Sequence, residues 1–311
     1  MKIHGFGLLA LGAIASAACD PQTPAESEPE VEAAPPRDNR VVLPADDDDH
    51  YIFVAGETVI EPGEDKTYCH HLVVPEDMAL ADIEMLQGEY GHHAVIVSTV
   101  DPLPPGSIED CSDNQTAAKF SALLIPVPGQ PEGTAFMVEG GTPVVVQSHY
   151  VNASDEPMLV RDAVRARRLP IDEVTEWIST FSTTNILGLE IPGDGSEATL
   201  SYDCELDRDA RILYVTGHMH EMGTKFKLEV GPSVDELEPI YTVDEWIPEF
   251  RDLPPVEIYG EPLVLQSGTI LRTSCSWDNS TGETVHYPEE MCVSVGVMVG
   301  TRELYECRDD R

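Results

Sequence analysis

The sequence predicts an all-β fold made of antiparallel sandwiches. Short apolar runs, for example residues 94–97, 212–215 and 293–299, are separated by the turn-forming residues Gly, Pro, Asn and Asp. Many short strands with polar turns favour antiparallel sandwiches over a parallel α/β sheet. Only residues 171–181 have a faint helical spacing of apolar side chains.

The length of the chain predicts one large or two medium domains in the folded body. With 311 residues the chain exceeds what one hydrophobic core usually organises. A boundary between residues 167 and 182 divides the body into two similar halves. We therefore expect domains over residues 50–168 and 169–308.

The N-terminus has the features of an export signal. An apolar stretch over residues 6–15 is followed by Ser-Ala-Ala-Cys at residues 16–19, which is typical of a secretory cleavage site. The stretch is too short to remain in a bilayer as a spanning helix. Residues 1–19 resemble a bacterial lipoprotein signal, in which Cys19 would carry a lipid anchor at the cell envelope; plain secretion is the alternative.

Residues 20–49 predict a disordered tether. This segment is rich in Pro, Glu and Ala and ends in four consecutive Asp residues, so it has little apolar surface to bury. A Pro-rich chain of like charges stays extended. It would hold the folded body away from a membrane surface.

The formal net charge of −39 argues against two classes of partner. Nucleic-acid binding needs clustered Lys and Arg to neutralise phosphates, and this chain has an excess of carboxylates. The same excess argues against an anionic membrane face. We expect membrane contact only through the lipid anchor.

The cysteines predict disulfides. If one of the seven is the anchor, six remain for pairing in an exported chain, and their number alone leaves the connectivity open. Each bridge would contribute roughly 3 to 5 kcal/mol by the loop-entropy relation. The chain has no Cys-x-x-Cys motif, which argues against a cysteine-rich metal site. The six are Cys69, Cys111, Cys204, Cys275, Cys292 and Cys307.

Seven of the ten histidines lie in four short motifs. Side chains alternate between the two faces of a strand, so His218 and His220 project to the same side and can bind one ion together. His92 and His93 are adjacent, and both can face one ion only if Gly91 or a β-bulge bends the strand. Structural histidines that hydrogen-bond to neighbours are the alternative. The motifs are Cys69-His70-His71, Gly91-His92-His93, Gln147-Ser148-His149-Tyr150 and His218-Met219-His220.

Met291 is a candidate thioether ligand in the segment Glu290-Met291-Cys292. A thioether is a soft ligand that favours Cu(I) and adds little to a zinc or magnesium site. A lone Met beside a strand is usually part of the core. Met291 gains weight only from the histidine motifs in the same chain.

The ordered motifs resemble those of the copper type II, ascorbate-dependent monooxygenases, the family of peptidylglycine α-hydroxylating monooxygenase and dopamine β-monooxygenase. The resemblance covers residues 50–307 and implies two jelly-roll-like β-sandwich domains, each with one copper, facing each other across a solvent-filled cleft. It implies an electron-storage copper on one set of ligands and a catalytic copper on the other. These sets are His92, His93 and His149 for storage, and His218, His220 and Met291 for catalysis.

The resemblance also implies the disulfide pairs and the reaction. The pairs would be Cys69 with Cys111, Cys204 with Cys307, and Cys275 with Cys292. The reaction would be hydroxylation of a C–H bond of a small organic substrate, with O2 and an external reductant such as ascorbate. We expect two coppers per chain and a monomeric protein.

Two departures from the family narrow the class of substrate. Thr216 stands where the amidating members carry an Arg that holds a peptide carboxylate, and Val293 and Val295 stand where they carry Asn and Tyr. An apolar, uncharged pocket is therefore expected. A peptide C-terminus is an unfavourable substrate for such a pocket.

Two other functions are compatible with the motifs. One is a non-catalytic, cell-surface copper-binding lipoprotein that has the ligands without a substrate pocket. The other is a zinc hydrolase in which Glu221, next to His220, acts as the general base. His70, His71 and His286 receive no role from the sequence.

Overall fold

The computed structural model describes residues 35–45, 47–113, 116, 119–184, 188–251, 253–287 and 289–308. It confirms the all-β prediction. The short 3-10 helices η1 (Ile171–Glu173) and η2 (Pro248–Arg251) are also present. The strands are β1 (Arg37–Asp38), β2 (His50–Val54), β3 (Thr58–Ile60), β4 (Asp65–Val73), β5 (Met78–Leu86), β6 (Gly91–Thr99), β7 (Ile108–Asp110), β8 (Phe120–Leu124), β9 (Thr134–Val138), β10 (Pro143–Val151), β11 (Met158–Val160), β12 (Ala163–Leu169), β13 (Glu176–Thr184), β14 (Glu197–Glu205), β15 (Ala210–His218), β16 (Gly223–Gly231), β17 (Glu238–Val243), β18 (Val256–Leu265), β19 (Ile270–Asp278), β20 (Val293–Val299) and β21 (Tyr305–Arg308).

The first half of the body is a sandwich of two antiparallel sheets. One sheet has the order β7-β4-β10-β6-β8, and the other contains β9-β5-β12-β2. Leu80, Phe136 and Val164 of the second sheet belong to the same buried core as Ile96 and Val146 of the first. Burial of these inward-facing residues is what holds the two sheets together.

The second half repeats this architecture. A sheet of order β14-β19-β16-β17 faces the strands β18-β15-β20-β13. Phe226, Cys275 and Trp277 from the first sheet share a buried core with Phe181 and Met298 from the second. Each half therefore forms one sandwich.

The two halves also have equivalent strand pairings. The neighbours β4–β10, β10–β6, β6–β8, β12–β5, β12–β2 and β5–β9 correspond to β14–β19, β19–β16, β16–β17, β20–β15, β20–β13 and β15–β18. The buried Asn152 after β10 and Asn279 after β19 each donate to two backbone carbonyls. Each also accepts from the N–H and the hydroxyl of the residue two positions later, which is Ser154 or Thr281. The chain thus contains an internal structural repeat, with one sandwich as the repeated unit.

The halves are joined through a shared sheet. Strand β13 pairs in parallel with β9 over Glu176 to Ile178, and this pairing makes one nine-stranded sheet from both halves. From Pro36 onward the chain forms one compact unit. The division into two domains at residues 167–182 stays a prediction; this range includes the end of β12 and most of β13.

The faint helical spacing of residues 171–181 does not produce an α-helix. Only Ile171–Glu173 form a 3-10 turn, and β13 begins at Glu176. Residues 178–184 are buried, because β13 lies inside the nine-stranded sheet. A strand buried on both faces gives a continuous apolar or small-residue run, which periodicity does not distinguish from a helix.

Part of the predicted tether is ordered. Arg37–Asp38 form β1, which pairs in parallel with β11, so disorder over all of residues 20–49 is wrong. The guanidinium of Arg40 also contacts Glu57 at 2.9 Å. Composition missed this segment because backbone pairing and ion pairs, rather than apolar burial, attach it to the body.

The export signal lies outside the described residues. Residues 1–34, including Cys19, belong to this part of the chain. None of the helical segments that are described has the length and apolar character needed to cross a bilayer.

Three disulfides confirm the expected pairing. They join Cys69 to Cys111, Cys204 to Cys307, and Cys275 to Cys292, with sequence separations of 42, 103 and 17 residues. The loop-entropy relation assigns them about 4, 5 and 3 kcal/mol respectively. Three such bridges indicate an oxidising, exported environment.

Candidate metal centres

The first histidine group lies on the paired strands β6 and β10. His149 is opposite His93, whereas Tyr150 is opposite Gly91, so His92 is the extra residue of a β-bulge. The expected bend at this position is therefore confirmed. The ring of His149 lies 5.1 Å from that of His92 and 5.3 Å from that of His93, measured between centroids.

The second histidine group lies at the end of β15. His218 is the last residue of the strand, and His220 follows the fully buried Met219. The rings of His218 and His220 have centroids 5.2 Å apart. Alternation along the extended chain thus brings both imidazoles to one side, as the sequence predicted, and places Met219 in the core.

The spacing of these rings suits a shared metal ion. With a metal–nitrogen bond of about 2.0–2.1 Å, ring centroids lie about 3.2 Å from the ion and about 5.2 Å apart at tetrahedral angles. The three measured separations are 5.1, 5.3 and 5.2 Å. Among the described residues no three His, Cys, Asp or Glu side chains converge into a complete site. Metal binding would therefore require the side chains to rearrange.

Asp65 orients the ring of His149. Nε2 of His149 lies 2.6 Å from Oδ1 of Asp65, and this hydrogen bond lowers the pKa of the Asp65 carboxyl. Metal-binding histidines commonly donate their other ring N–H to a carboxylate. The contact leaves Nδ1 of His149 as the ring nitrogen that a metal could use. Nη2 of Arg251 lies 3.3 Å from that Nδ1, so the guanidinium would have to move aside.

Gln87 fixes the backbone beneath the first group. Its amide Nε2 donates to the carbonyl of His93 at 2.8 Å and to the carboxylate of Asp162 at 3.1 Å. Burial raises the pKa of Asp162. A Cβ at Gly91 would lie 2.8 Å from the Gln87 side chain, so a glycine permits this close approach.

His220 is held in the neutral form that binds metals. Its Nδ1 lies 3.0 Å from the carbonyl of Glu289, which leaves Nε2 as the nitrogen for a metal. Burial, with a contribution from the charge of Arg251, lowers the pKa of His220 to about 4. Burial likewise lowers the pKa of His93 well below its usual value.

Glu290 connects the second histidine group to Met291. This carboxylate is 0% exposed and accepts hydrogen bonds from the backbone N–H groups of His220 at 2.9 Å and Met222 at 2.7 Å. Trp277 Nε1 donates to it at 3.0 Å, and the N–H of Met291 donates at 3.3 Å. Burial raises the pKa of Glu290 to about 7 despite these donors.

Met291 is thus fixed on both sides in the chain. The Glu290 carboxylate accepts hydrogen bonds from the backbone of His220 and Met222, and Cys292 is bridged to Cys275 in β19. The Met291 residue itself is only partly exposed. A covalent and a hydrogen-bonded restraint therefore set the position of this backbone.

The two histidine groups lie near each other. After burial, the charges of His149, His218 and His220 are the next causes that lower the pKa of His93. Arg251 spans the two groups, because its guanidinium pairs with Glu221 as well as contacting His149. The two histidine groups therefore lie close together within one compact unit.

The expectation of an uncharged pocket stays a prediction, although one charged side chain lies beside the first histidine group. Thr216 is buried and donates to the carbonyl of Pro255 at 2.8 Å, so it adds no charge. Arg251, at the end of η2, brings a guanidinium to the histidines instead. No local sequence pattern indicates this contact, because η2 lies some thirty residues from His220 and reaches the site only through the fold.

The other singled-out side chains have structural partners. The buried ring of His71 contacts Glu109 at 2.8 Å and accepts from the N–H of Leu103 at 3.2 Å. Nδ1 of His286 lies 3.1 Å from the carbonyl of Leu189. Glu221, the candidate base of a zinc hydrolase, is engaged by Arg251.

The fold and these contacts define a class: an all-β, disulfide-bonded, exported protein with two histidine groups that have the spacing of metal ligands. Comparison with protein-family models finds no match, and neither does comparison with curated protein sequences.

Two solved structures with partial likeness come from a virus. The structure of the infectious bursal disease virus Gx strain is 8% identical, with a TM-score of 0.22, over 83% of this chain and 72% of that chain. The VP2 subviral particle of the same virus is 10% identical, with a TM-score of 0.20, over 83% and 74%. These values are too low to bear on function.

Proposed function

We propose that this protein is a copper-dependent monooxygenase that hydroxylates a C–H bond of a small organic substrate. The observation that carries the proposal is the ring spacing of the two histidine groups, 5.1 to 5.3 Å, on equivalent sandwiches. The order of the motifs resembles the copper type II, ascorbate-dependent monooxygenases. The expected disulfide pairing of that family supports the resemblance.

The donor sets suit copper. Imidazoles bind copper in both oxidation states, and a thioether stabilises Cu(I). His92, His93 and His149 would hold one copper, with Asp65 orienting the His149 ring. The second copper would be held by the following three side chains: His218, His220 and Met291.

The chemistry of the reaction balances with an external reductant. Bound copper would supply the transfer of two electrons to O2, one oxygen atom entering the C–H bond and the other leaving as water with two protons. Ascorbate, or another two-electron donor, would return the electrons. The chain itself keeps His220 neutral by burial and positions the ligands.

The substrate is proposed to bind between the two groups. Arg251 borders this region and is paired with Glu221, so a small molecule with a polar group fits better than a purely apolar one. Thr216 remains an argument against binding of a peptide C-terminus in the manner of the amidating members.

Metal content and oxygen uptake together test the proposal. We expect two coppers per reconstituted chain and O2 uptake that depends on ascorbate and substrate, screened over amines, phenols and small peptides. His218→Ala should abolish uptake and lower the copper content to about one. His286→Ala is the matched control, because its ring contacts only a carbonyl on the loop at Leu189. Zinc retention with hydrolysis and no O2 uptake would refute the proposal.

The non-catalytic alternative is distinguished by the same assay. A copper-binding lipoprotein would take up both coppers and consume no O2 with any substrate. In that case Met291→Ala would weaken Cu(I) binding without any turnover to lose.

We also propose that export ends with a lipid on Cys19. The three disulfides support export. Mass spectrometry of the mature N-terminus tests the anchor: a diacylglyceryl-modified Cys19 supports it, and a free N-terminus after the signal contradicts it.

A further inference from the structure

A buried carboxylate lies at the junction of the two segments that carry the second candidate centre. Oε2 of Glu290 accepts from the N–H of His220, from Trp277 and from Met291, and Oε1 accepts from the N–H of Met222. Glu290 is 0% exposed, so bulk solvent does not reach its carboxylate. All of its partners in these contacts are donors, which is the arrangement for a carboxylate.

The first half contains an equivalent hydrogen bond between a buried aromatic side chain and a buried carboxylate. Tyr150 and Trp277 are both 0% exposed, and each precedes its repeat asparagine by two residues. The Tyr150 hydroxyl donates to the buried Asp162, as the Trp277 indole donates to Glu290. Asp162 in turn holds Gln87, which donates to the carbonyl of His93. In both repeats a buried aromatic–carboxylate pair thus supports histidine-bearing backbone.

The two aromatic–carboxylate pairs differ in how directly they act. Asp162 reaches the first histidine group through the side chains of Gln87 and Tyr150, whereas Glu290 binds the backbone of His220 itself. Glu290 is also the residue before Met291. One carboxylate therefore fixes two segments that lie about seventy residues apart in the chain.

We propose that Glu290 is a positioning residue that sets His220 and Met291 in register, so that imidazole and thioether reach one copper together. The proposal rests on the proposed function and deepens it. Glu290 touches neither copper nor substrate. It acts through the two backbone segments, and Asp162 performs the corresponding task for the first group.

An amide at position 290 would lose part of this hydrogen-bond network. In Glu290→Gln one carboxylate oxygen becomes an NH2 group, which faces an N–H donor in place of accepting from it. The amide oxygen can take the Oε2 position and keep the bonds from His220 and Met291, which leaves the NH2 group facing the N–H of Met222. This unfavourable contact would push the segment from His220 to Met222 away from Met291. Outer-shell substitutions of this kind typically weaken metal affinity by about 10- to 100-fold.

The test compares three variants of the full chain loaded with Cu(I). X-ray absorption measures the copper–sulfur scattering from a thioether ligand, and competition with a Cu(I) chelator measures affinity. We expect Glu290→Gln to lose the sulfur signal and to bind one of two coppers about 10- to 100-fold more weakly. Glu290→Asp, which keeps a charged acceptor on a shorter side chain, should lie between Glu290→Gln and the wild type.

Two controls separate positioning from stability. Trp277→Phe removes one donor to Glu290 and leaves its backbone ties, so it should lower the melting temperature while retaining the sulfur signal. Asp162→Asn should weaken the other copper and also retain the sulfur signal. Each variant is compared below its melting temperature, so that the folded protein is measured.

The outcomes distinguish this inference from the proposed function. If the wild type shows a copper–sulfur signal and Glu290→Gln keeps both signal and affinity, the positioning role is wrong and the proposed function stands. Equal loss of the signal in Trp277→Phe would also overturn the inference, because it would show a general effect of destabilisation. A wild type that binds no copper overturns both.

Discussion

Gly217 offers a direct test of how the fold positions His218. A Cβ at this position would lie 2.6 Å from Cγ of the Phe226 ring. Carbon atoms pack at about 3.5–4.0 Å, so Gly217→Ala must displace the end of β15 or the ring by about 1 Å. Overpacking of this kind costs about 1–3 kcal/mol.

The same displacement would disturb the candidate metal site. His218 follows Gly217 directly, whereas the backbone of His220 is held separately by Glu290. Metal–ligand distances tolerate only about 0.2 Å, so a shift of His218 relative to His220 should weaken copper binding. Unfolding by urea measures the stability, and Cu(I) competition measures the affinity.

A matched control and a double variant sharpen this test. Gly260 lies in β18, and a Cβ there would meet no atom within 4 Å, so Gly260→Ala should leave stability and affinity close to wild type. Phe226→Leu gives the new methyl room, and Gly217→Ala should cost less in that background. Wild-type stability and affinity in Gly217→Ala would refute the reasoning.

Three further predictions follow from individual contacts. Asp65→Asn should weaken one copper by about 10- to 100-fold in a chelator competition, because an amide orients the His149 ring less strongly; unchanged affinity would contradict this. Replacing Cys275 and Cys292 together by Ser should lower the free energy of unfolding by about 3 kcal/mol in urea, whereas a change under 1 kcal/mol would show that the bridge constrains little. Burial raises the pKa of Asp162, so folding favours its protonated form and its contribution to stability is lost as pH rises through that pKa. The stability of the wild type relative to Asp162→Asn should therefore fall as pH rises, and a difference independent of pH would contradict this.

Local sequence patterns predicted the parts of the site that depend on neighbouring residues. Period-2 alternation placed His218 and His220 on one side, and the same rule required the bend that the bulge at His92 supplies. The all-β class followed from short apolar runs between turn residues. Cysteine number indicated disulfides, although their pairing came only from the family resemblance.

The missed residues act over long sequence distances. Glu290 meets His220 across seventy positions, and Arg251 meets His149 across 102. No periodicity encodes such contacts, because tertiary packing of separate strands creates them. Strand β13 was obscured for a related reason, since burial on both faces removes the alternation by which a strand is recognised.

In the proposed function each repeat holds one copper on its own ligands. Copper content per chain, measured after reconstitution and desalting of the wild type, His149→Ala and Met291→Ala, tests this claim most directly. We predict two coppers in the wild type and about one in His149→Ala, with the copper–sulfur signal intact in His149→Ala and lost in Met291→Ala. A single copper in the wild type, or a sulfur signal that survives Met291→Ala, would contradict it.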